Sequence, residues 1–357
     1  MRRKTRFVCV SDTHAYTPAE AGFKLPAGDV LIHAGDLTNQ GRLSELQKTI
    51  DWIAAADFEV KIIICGNHDI TLDPSFYGLH GSKSHTKHLE DAQKCIEASS
   101  SIVLLRHQSA LVRLTRPNGP NTTFKVFGSP FSQSPGTWAF GYESATAAAL
   151  WSQIPLDADL VVTHTPPHSH CDSRAIGVSV GCKALHQALG RVRPSLAICG
   201  HVHESRGYER VRWSASVEGE EDSVVRGVLP PPGSKKQSLI DLTGKKAQRL
   251  DNDGIFLTEQ VSPFPSAQNV LVLPPAADEV GSGEACTTSY FPRSRPDEYP
   301  NNRANFRSNR RETCIINAAI LATSWPHGGG KRFNAPIVVD VELPTWREET
   351  PHSTTIA

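Results

Sequence analysis

Val60-Lys61-Ile62-Ile63-Ile64-Cys65-Gly66-Asn67-His68-Asp69 is an apolar run that breaks at a glycine and then offers an amide, an imidazole and a carboxylate in succession. A nearly unbroken apolar run reads as a strand buried on both faces. The polar tetrapeptide therefore follows a strand's carboxyl end. The same arrangement recurs along the chain. Arg6 to Val10 leads into Ser11-Asp12-Thr13-His14, and Val30 to His33 leads into Ala34-Gly35-Asp36. Leu160 to Thr163 leads into His164-Thr165-Pro166-Pro167, and Leu196 to Cys199 into Gly200-His201-Val202-His203. Phe124 to Phe127 reads as one more strand.

Amphipathic segments lie between these runs. Leu43 to Ala56 carries Leu43, Leu46, Ile50 and Ile53 at helical spacing, and Gly181 to Leu189 sets Cys182, Leu185 and Leu189 on one face. Strands alternating with helices predict an α/β fold with a mostly parallel sheet. Loops at the carboxyl ends of such strands are where ligands bind, so residues distant in sequence can converge there.

Singly, each motif has a bland reading. Asp-x-His after a strand is commonly a turn or helix cap, Gly-Asn-His-Asp a tight turn, and Gly-His-Val-His a pair of side chains on opposite faces. The conjunction decides: five motifs in order, each at a strand end, are hard to obtain by chance. Together they supply oxygen and nitrogen donors without a thiolate, which suits a pair of first-row divalent ions. Two such ions about 3.5–4 Å apart share a carboxylate and activate water for attack on a phosphoester.

The chain has 357 residues, enough for one large domain or two modest ones. Lys plus Arg equals Asp plus Glu, 37 each, so charge gives no argument for nucleic acid or an anionic membrane as partner. The eight cysteines form no C-x-x-C pair, which disfavours a zinc ribbon and a disulfide framework. Behind basic Arg2, Arg3, Lys4 and Arg6, the apolar stretch Phe7 to Val10 is too short for a secretion signal, and no stretch approaches a membrane span. These features describe a soluble, cytoplasmic chain.

Residues 5–213 and 313–345 are expected to form a single catalytic domain, with 346–357 a tail. The stretch 214–312 between them includes Leu229-Pro230-Pro231-Pro232-Gly233-Ser234 and little periodicity. It is expected to be a long insertion, largely disordered or loosely packed, and a candidate surface for a protein partner. Strands at Cys314 to Ala319 and Pro336 to Val341, with Tyr208 to Trp213, are expected to complete a second sheet. Tyr77 to Glu90 reads as a loop near the site. His80, His85, His88 and His107 read as solvated loop residues, His33 as packing or support, and His168 and His170 as outside the ligand set.

The motif order resembles the calcineurin-like metallophosphoesterase superfamily, whose pattern is D-x-H, G-D, G-N-H-[DE], H and G-H-x-H. The resemblance implies a four-layer αββα sandwich with two metals at the sheet edge. By position it implies that Asp12, His14 and His203 hold one ion, that Asn67, His164 and His201 hold the other, and that Asp36 bridges. It implies that a metal-bridging hydroxide attacks phosphorus in line. His68 is similar to the family histidine that contacts phosphate and protonates the leaving oxygen. The match is nearer to the metallophosphoesterase-domain-containing (fetal-brain 239-like) subfamily. Ser11 to His14, His33 to Thr38, Gly128-Ser129-Pro130 with Thr137 to Phe140, His164 to Pro167 with Cys171-Asp172, and Ile315 to Ala318 carry it.

Protein serine/threonine phosphatases resemble G-D-x-x-D-R-G after the bridging aspartate. Here Asn39 and Gln40 replace that acid and arginine. An arginine fork suits a dianionic monoester, so its absence favours a phosphodiester, with a cyclic nucleotide among the candidates. Manganese is the favoured ion, with iron, zinc, cobalt and nickel as alternatives. Phosphoprotein phosphatase and nuclease chemistry would use the same site, and a low-activity scaffold would retain the same fold. Asn67 and His68 are candidate substrate contacts. Trp138, Phe140 and Phe131 form an aromatic group that either stacks a nucleobase or packs as a local core.

Overall fold

The computed structural model describes residues 1–80, 86–133, 138–175, 177–231, 236–252, 269–274, 310–323, 327 and 330–346. The strands in chain order are β1 (Arg2–Val10), β2 (Val30–Ala34), β3 (Val60–Ile64), β4 (Ile102–Leu104), β5 (Gln108–Arg113), β6 (Thr123–Ser129), β7 (Leu160–Thr163), β8 (Ser173–Ala175) and β9 (Val178–Ser179). They continue with β10 (Leu196–Cys199), β11 (Gly207–Trp213), β12 (Glu221–Arg226), β13 (Ser238–Asp241), β14 (Val270–Val272), β15 (Glu312–Asn317) and β16 (Ile337–Pro344). The helices are α1 (Pro18–Ala21), α2 (Leu43–Ala55), α3 (Pro74–His80), α4 (Thr86–Glu97), α5 (Ala147–Ser152) and α6 (Lys183–Val192).

Two sheets carry the fold, in the orders β13-β16-β1-β2-β3-β4 and β12-β11-β15-β10-β7-β6-β5-β14. Strands β1 to β4 of the first sheet pair in parallel, and in the second sheet antiparallel pairs flank the parallel run β15-β10-β7-β6. Only the second sheet is antiparallel at its margins; in the first, β16–β1 is the one antiparallel pair and both marginal pairs, β13–β16 and β3–β4, are parallel. Their facing sides share one apolar core, with Phe7, Ile32 and Ile62 from the first sheet and Phe124, Leu160 and Ile316 from the second. Phe7 and Phe124 meet edge to face at 5.4 Å. On the outer face of the first sheet lie Leu46, Ile50 and Ile53 of α2 with Cys95 and Ile96 of α4. On the outer face of the second lie Trp151 of α5 and Leu185 and Leu189 of α6. The result is the expected four-layer αββα sandwich, because each helix stripe read from the sequence has a sheet face to cover.

Three expectations need correction. Residues Tyr77 to Glu90 are not a loop over their described part. They belong to α3 and α4, and residues 81–85 lie outside the described residues. Histidines had hidden the helical spacing of Leu89, Ala92, Cys95 and Ile96; His80 and His88 accordingly sit on helices. His107 is packed against Phe127, Phe131 and Trp151, with Nδ1 3.0 Å from Ser129 Oγ. Second, β15 and β11 do pair in the second sheet, but β16 joins the first, antiparallel to β1, where Arg6 and Asp340 form a 2.7 Å ion pair.

Third, described pieces of 214–312 are built into the sheets. The strands β12, β13 and β14 each occupy a sheet margin. Ile240, Leu242 and Leu250 are buried in the shared core, so the few apolar residues of this stretch carry the order that its average composition hides. Its longest remaining parts, 253–268 and 275–309, lie outside the described residues. At the tail, Trp346 Nε1 donates to Leu114 O at 2.8 Å, and 347–357 lie outside the described residues. Every described cysteine is buried and free of disulfide. Among the described residues, no helix is long and apolar enough to cross a membrane.

Phe124 is fully buried where the two sheets meet. Phe124→Ala should cost about 3–5 kcal/mol, read as a shift of the urea midpoint. A loss below about 1 kcal/mol would show that the sheets repack around the cavity and do not depend on that ring contact.

Candidate metal centre

Each candidate side chain stands on a short loop just beyond a strand. Asp12 and His14 follow β1, Asp36 follows β2, Asn67 and His68 follow β3, His164 follows β7, and His201 and His203 follow β10. Asp12, His14, Asp36 and His201 all take positive φ, between 44° and 67°. L-residues seldom adopt that conformation, and such strain persists only where the surroundings enforce it. It turns each chain sharply so that the side chain points back over the strand ends. The turns also pack backbone against carboxylate. A Cβ on Gly66 would overlap Asp36 Oδ1, and one on Gly200 would overlap Asp12 Oδ2.

All seven expected donors converge. Asp12, His14, Asp36 and His203 place ligand atoms within 4.8 Å of one another. His14 Nε2 is 3.2 Å from His203 Nε2 and 3.6 Å from Asp36 Oδ2, and His203 Nε2 is 3.3 Å from Asp12 Oδ1. On the other side, Asn67 Oδ1 is 2.9 Å from both His164 Nε2 and His201 Nδ1. His164 Nε2 is also 3.4 Å from Asp36 Oδ1. Asp36 thus presents one oxygen to each group.

The donor orientations fit a cation. His164 Nδ1 lies 3.0 Å from Ala34 O, and His203 Nδ1 lies 3.1 Å from Thr323 O. A carbonyl only accepts, so those nitrogens carry the proton. In the neutral ring each Nε2 lone pair then faces carboxylate or amide oxygens. Acceptors crowded against acceptors are costly when buried, and a positive ion among them removes the cost. Burial itself lowers His14 to about 4 and His201 to about 3, leaving both neutral at pH 7. Burial opposes ionisation of Asp36 and Asp12 too, yet His164 holds the first and His203 the second well below the usual carboxylate range. A proton on Nε2 relieves the same crowding at His164, which Asp36, against the same burial, raises to about 9.

His68 lies at the margin. Its Nδ1 donates to Asn39 O at 2.7 Å, and its backbone N–H donates to Asp36 Oδ1 at 2.9 Å. The ring meets His14 edge-on at 4.7 Å and lies 4.1 Å from the ring of Trp138. The main-chain carbonyl of Asn39 therefore orients His68, and its amide side chain does not. Phe140, expected as a substrate contact, is 8% exposed and packs in the helix-side core, with Phe131 6.4 Å away. The local-core alternative holds for this pair, while Trp138 alone reaches the site. A cavity of about 430 Å³ opens beside the centre, lined by His14, Tyr16, Asn39, Glu45, Lys48 and Lys331. His33 is buried behind the site, its Nε2 2.8 Å from Thr13 Oγ1. His168 bonds Ser179 Oγ at 2.8 Å, away from the seven donors.

Two supporting residues carried no role in the sequence reading. Asp69, fully buried, accepts from Gly66 N at 2.7 Å, Leu37 N at 3.1 Å and both Thr38 N and Thr38 Oγ1 at 2.8 and 2.7 Å. It ties the Asp36 loop to the Asn67 loop, and its position closing Gly-Asn-His-Asp was the available signal. Asn317, ending β15, donates to Cys171 O at 3.0 Å and Val202 O at 2.9 Å. Only its polarity at the end of an apolar strand hinted at it.

The carboxylates and imidazoles thus gather at the strand ends of an αββα sandwich. A sequence model of the calcineurin-like phosphoesterase family matches residues 5–205, and the chain belongs to that family. It is 34% identical over 218 residues to the human metallophosphoesterase domain-containing protein 1, covering 57% of this chain and 62% of that protein. It is 30% identical to a Caenorhabditis elegans UPF0046 protein, covering 66% of this chain and 84% of the other. It is 40% identical over 220 residues to a probable rhamnogalacturonate lyase C of Emericella nidulans, covering 60% of this chain and 19% of that protein. The chain therefore spans under two thirds of the human relative and about a fifth of the fungal one.

Asp69→Asn keeps the volume but turns an amide toward main-chain N–H groups. Losing a buried supporting contact of this kind should weaken divalent-metal affinity about 10–100-fold, measured by titration of the metal-free protein. Unchanged affinity would remove Asp69 from the support of the site.

Proposed function

We propose that the chain is a phosphodiesterase that works with two divalent ions, manganese favoured. One observation carries this reading: Asp36 stands between the group of Asp12, His14 and His203 and the group of Asn67, His164 and His201, with an oxygen toward each. The two groups would hold one ion each, with Asp36 shared. Ions bound there would lower the pKa of water to about 7 and offset phosphate charge. The protein's own part is placement. Asp36 is fixed by the His68 N–H, and the tautomers of His164 and His203 are fixed by carbonyls. His68, with Nδ1 committed to Asn39 O, has Nε2 left to meet a leaving oxygen, and in its imidazolium form it can donate a proton there. Trp138 limits the tilt of that ring.

The diester preference rests on the residues just beyond Asp36. Gln40 stands where an arginine would grip a dianion, and its Oε1 accepts from Arg42 at 2.9 Å. Lys331, which lines the adjoining cavity, donates to Tyr16 OH at 2.6 Å. Lys48, the other lysine lining that cavity, is paired with Glu20 at 2.9 Å, and point charges without an arginine fork suit a monoanionic diester better than a monoester dianion.

Manganese-loaded protein should hydrolyse bis(p-nitrophenyl) phosphate faster than p-nitrophenyl phosphate. A reversed ratio would sink the diester preference, and inactivity on both with two ions bound would sink the catalytic reading. His68→Ala should lower kcat about 10²–10⁴-fold while metal content stays unchanged. If that variant loses its metals, His68 belongs to the ligand set and not to proton transfer.

A further inference from the structure

A second group of donors lies outside that centre. The ligand atoms of His170, His186 and Glu221 all fall within 4.8 Å of one another. The group is assembled from separate parts of the chain. His170 comes from the loop after β7, His186 from α6, and Glu221 from the start of β12. His170 Nε2 is 2.6 Å and His186 Nε2 is 2.7 Å from the same atom, Glu221 Oε1.

A further layer supports it. His170 Nδ1 is 2.7 Å from Glu209 Oε2, and Glu209 Oε1 in turn accepts from Arg226 Nε at 2.9 Å. Histidines that bind metal almost always hand their other N–H to a carboxylate or carbonyl in this way. His170 and Glu209 are deeply buried, while His186 and Glu221 keep about a fifth of their side chains exposed, 22% and 21%. The group is closed at the back and open to water at the front.

Charge balance admits a divalent occupant. Two hydrogen bonds to one carboxylate oxygen need a proton on each Nε2, and His170, whose Nδ1 also bonds Glu209, then carries two protons between two carboxylates, with the two rings 5.3 Å apart. One divalent ion in place of both Nε2 protons keeps the total charge and leaves the His170 Nδ1–H bonded to Glu209. Two imidazoles and one carboxylate suit zinc and its neighbours and not magnesium or calcium. We propose that His170, His186 and Glu221 form a second metal site that takes a zinc-type ion, with water completing its coordination from the open side.

Ligand atoms around a tetrahedral zinc ion stand about 3.3 Å apart, so the present spacings of 2.6 and 2.7 Å would open by about 0.6–0.7 Å. His186 and Glu221, partly exposed, have room for that movement. The ion would fasten the marginal strand β12 to α6 and to the loop that follows His164. That loop is already joined to the His201–His203 loop through Asn317, which holds both Cys171 O and Val202 O.

The test uses the full chain, stripped with a chelator, reloaded with Zn²⁺, desalted and analysed for metal beside His186→Gln and Glu221→Gln. The unaltered chain should retain one more zinc equivalent than either variant, and loading with Mg²⁺ should show no such difference. Equal zinc counts in folded proteins would overturn the site. If circular dichroism shows either variant unfolded, the unaltered chain decides alone. A zinc-edge anomalous map from a soaked crystal should then show a peak among the three side chains, and an empty map there would also overturn it. Neither result depends on whether the main centre cleaves diesters.

Discussion

One buried carboxylate, that of Asp36, organises this protein. Its two oxygens face different sets of donors, so neither set is complete without it. A carboxylate that is 2% exposed is costly unless it is compensated. Here the compensation comes from the His68 N–H and the surrounding imidazoles, and a pair of cations would complete it. Much of the local architecture follows from holding that group still. The left-handed turns at Asp12, His14, Asp36 and His201 bring it neighbours, and Gly66 leaves room beside it. Asp69 joins its loop to the next one. A constraint shared by five loops explains why the donors are scattered along the sequence and yet ordered in space.

The sequence was most legible where a single physical pattern dominated. Buried parallel strands such as Val60–Ile64 announce themselves by apolar composition, and the polar residue after each strand end marks the functional edge. The stripe of α2 read correctly for the same reason. Legibility failed where patterns overlapped. In Tyr77 to Glu90, histidines and small polar residues were so dense that the end of α3 and the start of α4 passed for a loop. In 214–312 the apolar segments are a few residues long, and averaging over Pro- and Ser-rich flanks concealed them. The main-chain roles were out of reach altogether. Nothing in the residue type of Asn39 reveals that its carbonyl, and not its amide, orients His68.

The centre also depends on residues beyond the part of the chain that the family match covers. That match ends at residue 205. Yet the segment after β15 runs beneath the site. Ile320 N donates to Ser11 O at 2.8 Å, Leu321 N to Asp12 O at 3.3 Å, and Thr323 O accepts from His203. The loops that carry Asp12 and His203 are thus held from below by late-sequence backbone. The family signature names the donors, while their support comes partly from residues about a hundred positions further on.

The positions of β12, β13 and β14 have a consequence for how molecules of this protein meet. Two open sheets have four outermost strands, and three of these four come from 214–312. Among the described residues each is therefore itself an edge, whose outward N–H and C=O groups are a template for strand pairing. Arg226 at the end of β12 adds a charge at one such margin. What composition presents as a dispensable insert thus supplies, in its ordered pieces, most of the edges that the two sheets present.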